Sequence, residues 1–160
     1  MSWDVLLFNI TSDVTSLEQL GTQDPPELGP KSGVISMLRE VFPDISFSDP
    51  NWAVVSRSSF SIEFNFGEDP LQHLMLHVRG SDDAICAIRT ICEVSNWRAF
   101  DMTTGDFINF NNDPARGLRK WRSFRDKVVA QMRSQQKVSV NQADYSAIIK
   151  KKKRWWQFWK

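Results

Sequence analysis

The chain has 160 residues, 41% of them apolar and 24% charged, with a net charge of +1 at pH 7, which is ordinary for a soluble globular protein of one domain with a small appendage. Its start, MSWDVLLFNITSD, has no basic opening and only a short apolar run, and no apolar stretch nears the ~20 residues of a bilayer span, so neither a signal peptide nor a transmembrane helix is expected. The small net charge hides an asymmetry: residues 1–115 hold 6 Lys/Arg against 17 Asp/Glu, and residues 116–160 hold 14 against 2.

In chain order, Ser2–Ile10 reads as a first strand, apolar enough to lie inside a sheet. GTQDPPELGPKSG, residues 21–33, is loop by its prolines and glycines. A helix follows over about Ser32–Val41, with Val34, Ile35, Leu38 and Val41 at helical spacing and Phe42-Pro43 as its stop. Trp52–Ser56 is expected as a strand. Ser59–Phe66 is the clearest one, since Phe60, Ile62, Phe64 and Phe66 alternate with Ser61, Glu63 and Asn65. GEDP, Gly67–Pro70, turns the chain into a partner strand with Leu74, Leu76 and Val78 on the buried face. Matching the faces sets His77 near Ser61 and His73 near Asn65.

Ser81 or Asp82 caps a helix to about Ser95, with Ile85, Ile88, Ile91 and Cys92 inward. Trp97–Met102 and Asp106–Phe110 form a hairpin about a Thr-Thr-Gly turn, which accounts for Asp101 and Asp106. Asp113-Pro114 starts a third helix to about Gln135, with Leu118, Trp121, Phe124, Val128 and Met132 as its core stripe and Gly117 as a weak first turn. The order implies an α+β fold: a mostly antiparallel sheet of five to six strands, helices on one face, and a C-terminal amphipathic helix. Residues 1–137 form one domain and 138–160 a tail. A split βαβ arrangement is compatible with this order. Cys86 and Cys92 are six apart on one helix, on different faces, so they form no disulfide, and a reducing cytoplasm is the default compartment.

The tail ends KKKKRWWQFWK. At 100° per residue, Trp155, Trp156, Phe158 and Trp159 share a face with Tyr145, Ile148 and Ile149, and Asn141 can cap the helix, which would run roughly 18 residues or about 27 Å. Lys150, Lys151, Lys152, Lys153 and Arg154 precede the aromatics. Two uses are open: an anionic membrane surface, where Trp and basic residues are favoured, or docking on the body or a second copy.

No catalytic motif is present. His73, His77 and Glu63 would share one sheet face and define a hydrolase alternative, but a metal site needs three or four ligands, so no metal and no cofactor are expected. Asp82-Asp83 fits helix capping. The cations of the third helix, interleaved with Trp121 and Phe124, are better read as the solvated side of a core helix than as a nucleic-acid face, because an acidic body repels a polyanion.

WDVLLFN, the Leu-Gly loop, SIEFNFG, LHVRG and NWRAFDMTTGDFINF resemble the corresponding stretches of a group of small bacterial proteins of uncharacterised activity, some of which resemble immunity proteins that neutralise toxins of contact-dependent competition. The resemblance covers about the first 110 residues and implies a non-catalytic binding protein. Joined to the charge map, it points to an inhibitor that meets a basic, toxin-like protein through Asp24, Glu27, Glu63, Glu68, Asp69, Asp82 and Asp83. A peripheral membrane or scaffolding role for the tail is the second expectation.

Overall fold

The computed structural model describes residues 1–11, 13–20 and 24–135; the helix expected in the tail, residues 138–160, lies outside the described residues. The chain divides into two compact units, Met1–Trp121 and Arg122–Lys160.

The first unit runs β1 (Trp3–Phe8), a 3-10 turn (Leu17–Leu20), α1 (Lys31–Val41), β2 (Ser46–Asp49), β3 (Trp52–Ser56), β4 (Phe60–Phe66), β5 (Leu74–Gly80), α2 (Asp83–Ser95), β6 (Arg98–Asp101) and β7 (Asp106–Phe107). A third helix, α3, spans 116–135. The strands make one antiparallel sheet ordered β2-β3-β4-β5-β1-β6-β7. Among the described residues there are thus seven strands rather than five or six. The extra one is β2, whose SFSD lies at the sheet edge and is largely exposed, so it has no apolar alternation to announce it. Since β5 and β6 both pair antiparallel with β1, they run parallel to each other, with α2 crossing between them. Together with α1, which links β1 to the β2–β4 segment, this is a split βαβ core widened by β2–β3 on one edge and β7 on the other.

Alternation decides the faces. Trp3, Val5 and Leu7 lie opposite Val78, Leu76 and Leu74, which in turn face Ile62, Phe64 and Phe66, and all are buried. Val34 and Leu38 of α1 and Ala84, Ile85, Ile88, Ile91 and Cys92 of α2 cover this face. Each large side chain so buried contributes about 1.5–3 kcal/mol relative to exposure. Ala115, just before α3, and Leu118 and Trp121 in its first turns join the same core.

The hairpin of β4 and β5 is offset from its expected register. His77 faces Glu63, Arg79 faces Ser61, and Met75 faces Asn65. The cause is the connection: Leu71 is fully buried and bridges Gly29, so the loop runs seven residues, 67–73, rather than closing at GEDP, and His73 falls outside β5. A shift of two residues keeps every side chain on its expected face. At the far end, Gly80 has φ +108 and a Cβ there would lie 2.3 Å from the Ser59 carbonyl oxygen, so the close return into α2 requires glycine.

Of the two caps expected for α2 the first is found, and two details of α3 differ. The Asp82 side chain does not cap α2; the Ser81 hydroxyl accepts the Asp83 N–H at 3.2 Å. Asp113 has φ 53 rather than an extended cap conformation, and its carboxylate pairs with Arg119. Phe124 and Met132 are 59% and 61% exposed, so the buried stripe of α3 stops at Trp121.

Asp101, expected as a turn residue, is 3% exposed. Its Oδ1 accepts the Trp3 indole N–H and the Thr103 N–H, both at 2.8 Å. Gly117 lies so close that a Cβ would fall 1.3 Å from Asp101 Oδ2. The glycine that weakens the first turn of α3 therefore lets that turn reach the carboxylate holding Trp3 in place.

Candidate functional site

Helices cover one face of the sheet; the other carries the alternate side chains of every central strand. Asp4 and Leu6 of β1, Glu63 of β4, Met75, His77 and Arg79 of β5, Trp52 and Val54 of β3, and Phe100 of β6 are half-buried there. Cross-strand pairing assembles them into a flat network. His77 Nδ1 lies 2.8 Å from Asp4 Oδ1, and the Ser2 hydroxyl donates to the same oxygen at 2.7 Å. A carboxylate oxygen accepts, so His77 donates to it from Nδ1. The Trp52 ring stacks on His77 with centroids 5.7 Å apart, and Glu63 pairs with Arg79. Toward the β7 edge, Phe100 packs edge-on between Phe8 and Phe107, and the Arg98 guanidinium lies 4.2 Å from the Phe107 centroid.

The three residues of the hydrolase alternative have separate partners: Asp4 for His77, Arg79 for Glu63, and the Phe8 ring, 6.1 Å away, for the exposed His73. Among the described residues, no group of three His, Cys, Asp or Glu is placed to hold a metal ion. A groove of about 610 Å³ opens beside the end of β1, lined by Asn9, Ile10, Thr11, Val14, Pro26, Asn96 and Arg98. Arg98 donates there to the carbonyls of Thr11 and Val14, and its burial lowers the guanidinium pKa.

The seven carboxylates expected to meet a partner fall in three places. Glu27, Glu68 and Asp69 gather at the end of the sheet where β4 turns into β5, with Asp24 three residues before Glu27. The Gln72 amide reaches Glu27, the Leu28 N–H donates to Leu71 at 2.7 Å, and Asp69 Oδ1 accepts the Lys31 N–H at 2.8 Å, capping α1 from a distant loop. Asp49, at the end of β2 beside the β2–β3 turn, belongs to the same rim through Asn51, whose side chain takes the Lys31 ammonium. Sequence reasoning missed it because only the fold brings that turn beside residues 67–70. Glu63 lies mid-face. Asp82 and Asp83 lie at the opposite end, roughly 20 Å away by strand length, where hydrogen bonds from Ser59 and Ser81 lower the Asp83 pKa.

Electrostatics separate rim from face. Arg57, Arg79, Arg89, Arg116 and Arg119 are each paired with a carboxylate. Among the described residues, the exposed rim carboxylates Asp24, Glu27, Asp49, Glu68 and Asp69 have no such cation, and only Lys31 stands among them.

No family model matches the chain, and neither curated proteins nor solved structures return a match. Among the described residues no helix is long and apolar enough to cross a membrane. The basic-aromatic residues Lys150–Arg154, Trp155, Trp156, Phe158 and Trp159 lie outside the described residues.

Proposed function

We propose that the protein is a non-catalytic binding protein, an immunity-type inhibitor that neutralises a basic, toxin-like partner through the acidic rim and the adjoining open sheet face. The observation that carries this reading is the division of charge. On the face, Glu63 is paired with the Arg79 cation and Asp4 accepts hydrogen bonds from His77 and Ser2. On the rim, among the described residues, the carboxylates have no paired cation. A flat surface of Trp, Met, Arg and aromatic side chains with satisfied charges has the make-up of an interface centre. A bordering patch of unmatched negative charge speeds encounter with a positive partner and rejects like-charged ones. The reading keeps Asp24, Glu27, Glu68 and Asp69 as one docking edge, adds Asp49, and gives Asp82 and Asp83 a local role at the start of α2. The compartment that fits it is the cytoplasm.

The test first screens the products of the genes flanking this one for a protein that the chain binds, and then uses that partner. Reversal of Asp24, Glu27 and Glu68 to Lys, with Asp69 kept because it caps α1, should slow association at low salt by about tenfold or more and flatten its salt dependence. Equal on-rates for the reversed and natural chains across ionic strength would remove the rim from the mechanism. Full neutralisation by a Trp52→Ala, Arg79→Ala chain would remove the face.

A further inference from the structure

We propose that the cleft between α1 and the junction of α2 with β6 is a socket for one apolar side chain of the protein partner, presented beside a basic residue, with the Trp97 indole N–H binding a main-chain carbonyl of the same segment. This rests on the inhibitor reading and names the anchor that the acidic rim guides into place.

Trp97 shares the parity of Ala99 and Asp101 in β6, so it lies on the helix-covered side of the sheet, and it is 8% exposed. It lines a cleft of about 260 Å³ together with Leu28, Pro30, Val34 and Met37. A buried indole N–H ordinarily finds an acceptor. That of Trp3 donates to Asp101 Oδ1 at 2.8 Å. Among the described residues, Trp97 is bonded through its main-chain N–H, to the Ser95 hydroxyl at 3.1 Å, and its indole N–H has no acceptor. No sealed side-chain nitrogen or oxygen of the described residues is left unpaired, so this N–H retains an outlet, and Trp97 borders the cleft.

Small residues keep the cleft open. Gly33 in the first turn of α1 and Ser95 at the end of α2 both line it. A glycine in a helix costs about 1 kcal/mol relative to alanine. Packing does not demand this one, since a Cβ on Gly33 would meet only Pro30 Cγ, at 3.7 Å, an ordinary contact. A side chain there would instead take up the space of the cleft.

Volume and neighbourhood choose the occupant. At about 260 Å³ the cleft falls below the ~300–1,000 Å³ of pockets for whole small ligands and suits one large apolar side chain. Its wall continues the acidic rim: Leu28 follows Glu27, and Pro30 precedes Lys31, whose N–H Asp69 caps. A segment drawn by those carboxylates carries cations, so its apolar residue arrives flanked by lysine or arginine. The indole N–H then fixes the segment through a carbonyl, the acceptor that every residue carries.

The test is NMR of the 15N-labelled full chain, whose seven tryptophans give seven indole signals; Trp97→Phe identifies the one from Trp97. The probe is the acetylated, amidated tripeptide Lys-Leu-Lys, with Lys-Gly-Lys as control. The leucine peptide should move the Trp97 indole signal with a Kd on the order of millimolar, in keeping with burial of one side chain, and the glycine peptide should leave it in place. Gly33→Leu should abolish the shift without lowering the melting temperature, because only Pro30 stands near the new Cβ. No shift with the leucine peptide, an equal shift with the glycine peptide, or an unchanged shift in the Gly33→Leu chain would each overturn the proposal. Equal affinity for N-acetylleucinamide would replace the protein segment by a free small ligand, and broadening of the signal with protein concentration alone would replace it by a second copy. These arms need no partner, so their outcome stands apart from the inhibitor reading. With the partner present, Gly33→Leu should speed dissociation by about tenfold and leave association unchanged. Dissociation equal to that of the natural chain, with the rim reversal still slowing association, would overturn the socket and keep the inhibitor.

Discussion

Gly117→Ala offers a sharp test of the packing around Trp3. In an exposed helix this change stabilises by up to about 1 kcal/mol. Here the new methyl would sit 1.3 Å from Asp101 Oδ2 and 2.3 Å from its Cγ, so one group must move. The carboxylate is the end of a short side chain, but it is pinned: it holds the indole N–H of fully buried Trp3 and the Thr103 N–H. Swinging it away forfeits two hydrogen bonds to a charged acceptor, about 1.5–3 kcal/mol each, and the helix gain offsets a part of that. The expected net loss is about 2–5 kcal/mol, or roughly 4–20 °C in Tm for a chain of this size. Urea unfolding followed by Trp fluorescence measures it. The second arm is the Asp101→Ala background. Asp101→Ala alone should be costly, since it strands a buried indole N–H, yet adding Gly117→Ala to it should cost nothing or restore some stability. A double variant showing the full sum of the two single losses would refute the steric account.

Three further outcomes are expected. Asp69→Ala should lower stability by about 1 kcal/mol through loss of the cap on Lys31, measured by chemical denaturation, whereas Glu68→Ala next to it should be neutral. Burial pushes the Cys92 thiol up to about 12, while Cys86 is exposed, so at pH 8 a disulfide-exchange reagent should titrate one thiol in the native protein and two after denaturation. The Asp83 carboxyl titrates below its ordinary value because Ser59 and Ser81 hydrogen-bond to its charged form; its stabilisation is present above about pH 4 and is lost as pH falls through the lowered pKa, so the Tm difference between the natural chain and Asp83→Asn should vanish under acid.

What the sequence disclosed followed how each signal is stored. Phe60–Phe66 and Ile85–Cys92 were legible because periodicity is local and both segments have one buried face. β2 was not, since an exposed edge strand has no face to bury. The offset of His77 came from Leu71, a residue in a loop whose burial depends on Gly29, forty-two positions earlier. Asp101 looked like turn chemistry because its partners, Trp3 and Gly117, are distant in the chain on either side. Of the candidate surface, residue types were readable and grouping was not: Asp69 and Asp82 differ little in sequence context, yet they occupy opposite ends of a strand pair. The α3 stripe misled in the other direction, since helical spacing shows that side chains share a face and says nothing of what faces them.

The place of β1 in the sheet bears on how the protein is made. It is the first of these strands in chain order to leave the ribosome, yet it sits between β5 and β6, pairing Trp3 with Val78 and Leu7 with Ala99. Until about residue 101 has emerged, its apolar residues have only half of their neighbours, and the β2–β3–β4 meander, built from contacts close in sequence, can form without it. Closure of the centre is thus a late, long-range event of the kind that slows folding. For that interval WDVLLF is an unpaired apolar strand in a growing chain, the sort of segment that chaperones hold and that aggregates when they do not.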